Sequence, residues 1–353
     1  MEITQQLWGM TPDGEAAILY TMRNGAGAEV TLTNIGAAVA GIRVPDREGQ
    51  IGDVILGYRD MESYIGDAAM MGKIVGRTTG RMGGATFMLD GRAFRLTRNA
   101  PPLHTDGGAG GFGNRVWTSR VETDRVVFAY LSPDGEEGYP GELGCEVAYD
   151  WNDDNELEIT VFARASEPTV VNIASNIYFN LAGAGSVLGH ELRLNAERFL
   201  ATDRLLVATG ELLDIARLPM DFRAAKPLGR DIDADYESLL RTGGYDHCWA
   251  VEGWHEGELR NVGELHDPVS GRTVTISSTQ PGVQVYTGNL LAGGAAGHHG
   301  RPYADREGVV VRCQGFPNAP NIAAFPSQRL DPDRIYMERT VYRLGVAASA
   351  CKK

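Results

Sequence analysis

The sequence predicts an all-β fold, and three observations carry that prediction. Apolar and polar residues alternate in short runs, Gly, Pro, Asn or Asp residues separate the runs, and sustained helical periodicity is nearly absent. Alternation with a period of two, bounded by turn residues, is typical of antiparallel strands. The 45 glycines fit many tight turns. We therefore expect an all-β sandwich with few short helices.

Six runs are the clearest strand candidates. In chain order they are Val30, Leu32 and Ile35; Val54 and Leu56; Val126 and Phe128; Leu157, Ile159 and Val161; Val274 and Ile276; and Val309 and Val311. Two short stretches favour a helix, at residues 60–64 and 236–241. At 353 residues and 43% hydrophobic content, the chain has enough material for one large domain or two ordinary ones. Because no repeat, low-complexity tail or linker interrupts it, we predict one continuous β domain over residues 1–353.

Charge and termini narrow the class of partner. The net charge of −13 argues against nucleic acid, since phosphate binding needs a surplus of Lys and Arg on one face. No apolar run approaches the length of a membrane span, and the first ten residues lack the pattern of a secretory signal. We expect a soluble, cytoplasmic protein with a small-molecule ligand and no membrane partner. A monomer and a homodimer both remain open.

The cysteines and the other candidate motifs predict neither a metal nor a cofactor. Cys145, Cys248, Cys313 and Cys351 are scattered without a C-x-x-C pair, which favours reduced thiols over a disulfide framework or a zinc site. His298 and His299 lie in a glycine-rich stretch typical of a loop. The glycines of residues 107–113 lack the preceding strand and following helix that phosphate binding requires.

One stretch organises the functional prediction. Residues 171–183 have the sequence V-N-I-A-S-N-I-Y-F-N-L-A-G, in which β-branched residues and asparagines lead to an aromatic pair and a glycine turn. This pattern predicts a buried strand that delivers polar side chains into a cavity.

The chain resembles the aldose 1-epimerases, also called galactose mutarotases, and the resemblance runs nearly its whole length in order. Besides residues 171–183, the matching segments are T-N-I-G-A at 33–37, D-V-I-L-G-Y at 53–58, G-R-T-T-G-R at 76–81, L-H-T-D-G-G at 103–108, S-P-D-G-E-E-G-Y-P-G at 132–141, G-Y-D-H-C at 244–248, Q-P-G-V-Q-V-Y-T-G-N at 280–289 and Q-G-F-P-N-A-P-N at 314–321. The resemblance implies a single large galactose mutarotase-like β-supersandwich and interconversion of the α and β forms of aldoses at C1.

The acid and base that the resemblance implies are both replaced. The family has a catalytic histidine two residues before the tyrosine of the aromatic pair, and here that residue is Asn176. Matching the family's L-E-T-Q-x-F-P-D-A to V-R-C-Q-G-F-P-N-A puts Arg312 where the catalytic glutamate is expected. The side-chain amide of Asn176 cannot act as an acid. Arg312 stays protonated near neutral pH, so it cannot act as a base. Mutarotation by the ordinary pair should therefore be weak or absent.

Other departures fall in the same segments. The family's asparagine of G-R-x-x-N-R is Gly80, the acidic residue of F-P-D is Asn318, and L-H-G-G has become L-H-T-D-G-G, which we interpret as an insertion of Thr105 and Asp106 after His104. Substitutions at ligand-facing positions within a retained scaffold suggest a site that has changed its ligand or reaction, or that no longer catalyses one.

The surviving polar residues predict a sugar site. By resemblance, Arg81, His104 and Asp246 bind hydroxyl groups. His104 is the remaining titratable candidate for proton transfer, with Asp106 or Asp246 as its candidate partner. The full set of predicted substrate-binding residues is Arg81, His104, Asn176, Tyr178, Asp246, Gln284 and Arg312. Tyr178, Phe179 and Trp249 are candidates for stacking on a pyranose ring, although packing in the core is the more favoured role for Phe179 and for Tyr286.

Arg312 leaves two alternatives open. An arginine in place of a glutamate changes the local charge by two units and can bind a carboxylate, sulfate or phosphate in a bidentate way. The ligand would then carry an anionic group, as in a uronic acid or a sugar phosphate. Alternatively, Arg312 pairs with Asp106 or Asp246 in an inactive site. At the level of function, a diverged reaction, a non-catalytic carbohydrate-binding protein and a working epimerase with a relocated acid and base remain alternatives.

Overall fold

The computed structural model describes residues 1–347, and β-strands dominate them. The strands are β1 (Glu2–Met10), β2 (Ala16–Arg23), β3 (Glu29–Thr33), β4 (Ala38–Pro45), β5 (Ile51–Asp53), β6 (Ile74–Val75), β7 (Arg81–Met82), β8 (Thr86–Leu89), β9 (Arg92–Arg95), β10 (His104–Thr105), β11 (Thr118–Glu122), β12 (Arg125–Ser132), β13 (Leu143–Trp151), β14 (Glu156–Ala165), β15 (Thr169–Val170), β16 (Ala174–Ser175), β17 (Tyr178–Phe179), β18 (Glu191–Leu194), β19 (Arg198–Thr202), β20 (Ala208–Asp214), β21 (Lys226–Pro227), β22 (Asp246–Ala250), β23 (Arg260–His266), β24 (Arg272–Ser278), β25 (Gly282–Tyr286), β26 (Val309–Gln314), β27 (Arg329–Leu330) and β28 (Tyr336–Val346).

Helical structure is short. The one α-helix of the described residues is α1 (Glu237–Thr242), and a 3₁₀ turn covers Glu62–Tyr64, so both predicted helical stretches are confirmed. Further 3₁₀ turns are Gly83–Ala85, Phe112–Asn114, Glu136–Gly138, Val187–Gly189, Leu228–Arg230 and Ala319–Asn321. Within residues 1–347, no helix combines the length and the apolar character that crossing a bilayer requires.

Three large antiparallel sheets form the fold. One has five strands in the order β1-β2-β3-β4-β5, the second has nine in the order β11-β12-β13-β14-β28-β24-β23-β18-β21, and the third has six in the order β17-β26-β25-β22-β19-β20. Two-stranded pairs β10-β7, β15-β27, β16-β6 and β8-β9 complete the structure. The predicted all-β class is confirmed.

The hydrophobic pattern sets which face of each strand is buried. In β24, buried and partly exposed residues alternate without a break, as one-sided burial requires. The largest core cluster draws residues from Tyr20 to Leu344. Because this cluster joins residues from both ends of the chain, it supports the one-domain organisation, which stays a prediction.

Strand β26 differs because both of its faces are covered, and all six of its residues are buried. Val309, Val311 and Cys313 lie in the main core. The intervening residues point to the other face, where Val310 and Arg312 line a cavity. A strand with this burial can place a guanidinium at the floor of a site while its neighbours anchor it.

Two local predictions need correction. Residues 171–183 do not form one strand. They make two-residue pairings in β16 and β17, separated by Asn176 and Ile177. Ile35, the last residue of the first predicted run, lies outside β3 and makes an isolated bridge to Val116. The predicted run of Val54 and Leu56 also lies outside the strands. The sequence of such a connection resembles that of a strand because its apolar residues are equally buried.

Candidate active-site cavity

A cavity of about 530 Å³ opens over the six-stranded sheet. This volume is in the range of small-molecule sites, which usually measure about 300–1,000 Å³. Its floor consists of two rows of side chains that the strand register aligns. Cys248, Gln284 and Arg312 form one row, and Asp246, Tyr286, Val310 and Tyr178 form the other.

Arg312 and Asn176 touch at the cavity floor. Nη1 of Arg312 donates a hydrogen bond to Oδ1 of Asn176 at 3.1 Å, and its Nε donates to Oε1 of Gln314 at 2.8 Å. The Asn176 amide in turn donates to the carbonyls of Ala69 and Met70 at 3.0 and 3.2 Å. Both residues are buried, with 8% and 7% exposure. The two predicted replacements therefore form one hydrogen-bonded unit.

Asp106 supplies the nearest carboxylate to Arg312. Its Oδ1 lies 3.6 Å from Nη2 of Arg312. The backbone N–H of Gly80 donates to the same oxygen at 2.8 Å. Of the two carboxylates considered from the sequence as partners of Arg312, the structure pairs it with Asp106.

Asp246 belongs to a second charged group on the same floor. Arg81 Nη2 donates to its Oδ2 at 3.0 Å, and Gln284 Nε2 donates to its Oδ1 at 2.7 Å. The sequence-predicted residues Arg81, Asn176, Tyr178, Asp246, Gln284 and Arg312 all line the cavity.

His104 is not among the cavity-lining residues. Its side chain has no exposed surface. Nδ1 lies 2.8 Å from the Thr97 carbonyl and Nε2 lies 2.8 Å from the Tyr139 hydroxyl. Burial lowers the pKa of His104 below its ordinary value. Protein groups satisfy both ring nitrogens, so this geometry gives the ring a packing role.

The aromatic candidates divide between core and cavity. Phe179 and Trp249 have no exposed surface and lie in the main core, where Trp249 Nε1 donates to the Met220 carbonyl at 3.0 Å. Tyr178 lines the cavity and donates its hydroxyl to the Ala69 carbonyl at 3.1 Å. Tyr286, for which packing was favoured, is partly exposed in the cavity wall.

Two other titratable groups in the lining, His247 and Cys248, are poorly suited to proton transfer near neutral pH. Burial lowers the pKa of His247 to about 4, and Ser238 Oγ lies 2.6 Å from its Nε2. Burial raises the pKa of the Cys248 thiol to about 12. A neutral, bonded imidazole and a protonated thiol offer no ready proton exchange near neutral pH.

Gly80 and its neighbour explain one departure from the family pattern. Gly80 has φ +75°, and a Cβ there would lie 2.9 Å from Cβ of Pro317. A side chain would therefore need a left-handed backbone and a shift of the proline.

Two cavity residues are absent from the predicted substrate-binding set: Asp106, which the sequence offered only as a partner of Arg312 or of His104, and Arg241. Asp106 directly precedes Gly107 and Gly108, just as the family histidine of L-H-G-G directly precedes its two glycines. Placing the inserted residues before Asp106 would have revealed this. Arg241 comes from the last turn of α1 and lines the cavity. No motif marks it.

Metal-binding geometry does not occur among the described residues. No group of three or more His, Cys, Asp or Glu side chains in residues 1–347 is arranged to hold an ion. His298 and His299 lie near the carbonyls of Ala40 and Gly183, at 3.1 and 2.8 Å. Cys145, Cys248 and Cys313 are buried free thiols, and Cys351 lies outside the described residues.

Residues 19–343 match the family model described as aldose 1-epimerase. The chain belongs to the aldose 1-epimerase family. It is 35% identical over 349 residues to a galactose mutarotase of Bos taurus, covering 98% of this chain and 100% of that protein. It is also 32% identical over 338 residues to an aldose 1-epimerase of Escherichia coli K12, covering 95% and 97% of the two chains.

Solved structures of the aldose 1-epimerase fold agree. An aldose epimerase homologue from C. elegans superposes with a TM-score of 0.85 at 26% identity, covering 93% of this chain and 98% of that one. A galactose 1-epimerase from Lactobacillus acidophilus has the same TM-score at 21% identity, covering 98% and 99%. The predicted galactose mutarotase-like fold is confirmed.

Proposed function

We propose that this chain binds a sugar or sugar-like ring in the cavity and that mutarotation by the family's ordinary acid and base is weak or absent. One observation carries the proposal: Arg312 and Asn176, at the two positions expected to exchange protons, are hydrogen-bonded to each other at 3.1 Å. Neither group can act as an acid or a base near neutral pH. Mutarotation needs a proton removed from the C1 hydroxyl and another delivered to the ring oxygen, and each transfer is worth about 10²–10⁴ in rate.

Retained polar groups support sugar binding. Asp246 is held by Arg81 and Gln284 at the cavity floor, and its carboxylate can accept hydrogen bonds from neighbouring hydroxyls. Tyr178 and Tyr286 present ring surface to the same space. The name galactose mutarotase, carried by relatives that cover nearly the whole chain, supports a sugar as the ligand class. A cytoplasmic location is part of the proposal, supported by three buried free thiols.

A second candidate concerns the charge of the ligand. Three arginines (Arg81, Arg241 and Arg312) and two aspartates (Asp106 and Asp246) line the cavity, in a chain whose net charge is −13. This local excess of positive charge favours a ligand with a carboxylate or phosphate. The Asp106 contact partly offsets it.

Two measurements test the proposal. Proton NMR should detect binding of galactose or glucose at millimolar concentration, while exchange between their anomers should remain far slower than with the Escherichia coli relative under the same conditions. Exchange as fast as that relative's would contradict a weak epimerase. Binding with no acceleration at any pH would favour the non-catalytic alternative.

The charge of the ligand has its own test. Galacturonate should bind more tightly than galactose by about tenfold, equivalent to about 1.4 kcal/mol, and Arg312→Ala should remove that preference. Arg306→Ala is the matched control, because Arg306 pairs with Asp233 outside the cavity lining. Equal affinities for the two sugars would leave a neutral ligand as the better proposal.

A further inference from the structure

Asp106 is held in place by its backbone. Its N–H donates to the Gly80 carbonyl at 3.1 Å, and the Gly80 N–H returns a bond to Oδ1 at 2.8 Å. The residue has φ +49°, a left-handed conformation that Asp adopts more readily than most residues. Gly107 follows so closely against the Gly76 carbonyl that a Cβ would lie 1.8 Å from its oxygen. The carboxylate is therefore fixed at the cavity wall.

The two oxygens of Asp106 have different surroundings. Oδ1 faces the Gly80 N–H and, at 3.6 Å, Arg312 Nη2. Among residues 1–347, the hydrogen bond to Oδ2 comes from Thr105 Oγ1 at 3.4 Å, which is long. About a third of the side chain is exposed. Oδ2 therefore keeps accepting capacity toward the cavity.

The second carboxylate, the imidazole, the thiol and the Tyr178 hydroxyl in the lining are less available as proton acceptors. Both oxygens of Asp246 accept hydrogen bonds from protein side chains. Burial keeps His247 neutral and Cys248 protonated, and the Tyr178 hydroxyl donates to a carbonyl. Asp106 Oδ2, with its long hydrogen bond from Thr105, is therefore the most available proton acceptor among these groups.

An acidic and a basic residue also exchange positions relative to the family pattern quoted above. Where that pattern has a histidine before the two glycines, this chain has the carboxylate of Asp106. Where it has a glutamate on the strand, this chain has the guanidinium of Arg312. The two replacements lie 3.6 Å apart. A carboxylate and a basic side chain thus remain together in the cavity, with their places reversed.

We propose that Asp106 is the proton-transfer group of a residual epimerisation at C1, with Arg312 as the donor that stabilises charge on the ring oxygen. The proposal rests on sugar binding as the proposed function. Oδ2 takes the proton of the C1 hydroxyl, that oxygen forms a carbonyl with C1, and the bond between C1 and the ring oxygen breaks with its electron pair left on the ring oxygen.

The same carboxyl group completes the cycle. The C1 hydroxyl and the ring oxygen are attached to one carbon, so the protonated Asp106 can return its proton to the ring oxygen. Rotation about the C1–C2 bond and the reverse sequence close the ring on the other face. Atoms, protons and electrons balance without a co-reactant. An N–H of Arg312 stabilises the oxyanion as it develops.

Asp106→Asn is the decisive variant. An asparagine keeps the size, tolerates the left-handed backbone and can still accept from Gly80, but it cannot take a proton. Asp90→Asn is the matched control, because Asp90 also has φ +49° and also pairs with an arginine, Arg329. Asp90 is not part of the cavity lining.

The assay measures anomer exchange of galactose by NMR, with binding of galactose followed in parallel. We expect the unchanged protein and Asp90→Asn to accelerate exchange above the buffer rate. Asp106→Asn should reduce the acceleration at least about 10²-fold, with galactose still bound. Asp106→Gly, which relieves the left-handed backbone, should regain exchange when formate is added.

The outcomes separate the two proposals. Bound galactose with no acceleration by the unchanged protein, or acceleration that survives Asp106→Asn, overturns the role of Asp106 and leaves sugar binding intact. Absence of galactose, glucose and galacturonate binding overturns the proposed function itself. If Asp106→Asn is unstable, loss of exchange in Asp106→Gly without recovery by formate counts against the proposal.

Discussion

Returning the family's acid and base to this cavity should succeed only in part while Asp106 remains. The test combines Asn176→His with Arg312→Glu. At present Arg312 Nη2 and Asp106 Oδ1 are 3.6 Å apart. Opposite unit charges at about this separation attract by about 1 kcal/mol in water and about 4 kcal/mol at an effective dielectric constant near 20. Reversing the charge at position 312 replaces that attraction with a repulsion of at most similar size, because a Glu carboxylate reaches less far from the backbone than a guanidinium.

The charge reversal changes the interaction energy between residue 312 and Asp106 by about 2–8 kcal/mol. The lower half of that range applies because the Asp106 side chain is about one-third exposed, so water screens the charges. Two carboxylates this close tend to share a proton, so the restored glutamate would be a poor base. Adding Asp106→His reproduces the family's pattern before the two glycines and removes the repulsion.

Anomer exchange of galactose is the readout. We expect the double variant to gain less than the triple variant by at least about tenfold, and each single variant to gain less than the double because acid and base act as a unit. A double variant as fast as the triple would refute the electrostatic argument.

Urea unfolding checks the same interaction without relying on catalysis. Arg312→Glu should be less stable than Arg312→Gln by about 1–2.5 kcal/mol, the repulsive half of that lower range. The difference should vanish when both variants also carry Asp106→Asn. A difference that persists in that background would show that the destabilisation comes from lost packing or hydrogen bonds instead of the pair.

Three further predictions concern groups outside the cavity chemistry. Burial raises the pKa of Glu338 from 4.5 to about 7, so the folded state binds its proton more tightly, and stability should fall as pH rises through that range. Urea unfolding should show that the free energy of unfolding of Glu338→Gln depends less on pH and exceeds that of the unchanged protein at pH 8 by up to about 3 kcal/mol. An unchanged pH dependence would mean that another group causes it. Burial lowers the pKa of His190 from 6.5 to about 4, so stability should fall as pH drops through that range. His190→Gln, which can still accept from Leu181 N–H, should reduce that loss, and an identical acid transition would count against the assignment. His104→Ala should cost about 2–5 kcal/mol in urea unfolding with less than about a threefold change in galactose affinity, whereas a large loss of affinity in folded protein would restore His104 to the binding site.

The same residues separate what sequence and structure each decide. Alternation of apolar residues was enough to predict β3, β12, β14, β24 and β26. Burial of a strand face requires apolar residues at every second position, so the sequence shows it directly. The chemical consequence of Asn176 and Arg312 also needs no structure, since an amide and a guanidinium lack a usable proton near neutrality in any geometry.

Which side chains face the cavity was decided by tertiary structure. His104 and Asp106 are two residues apart, yet one is sealed against Thr97 and Tyr139 and the other lies beside Arg312. The left-handed turn at Asp106 and its pairing with Gly80 cause this difference. A local motif does not contain either constraint.

Long-range packing also sorted the aromatic and basic residues. Phe179 and Trp249 belong to the core and Tyr178 and Tyr286 to the cavity, because successive strand residues point to opposite faces and only the partner layer determines which face is filled. Arg241 enters from α1, whose last residue, Thr242, accepts a hydrogen bond from the distant Asn289 at 3.1 Å. The sequence by itself determined the strand-rich scaffold and predicted the replacement of the expected acid and base, while folding decided which charged groups meet.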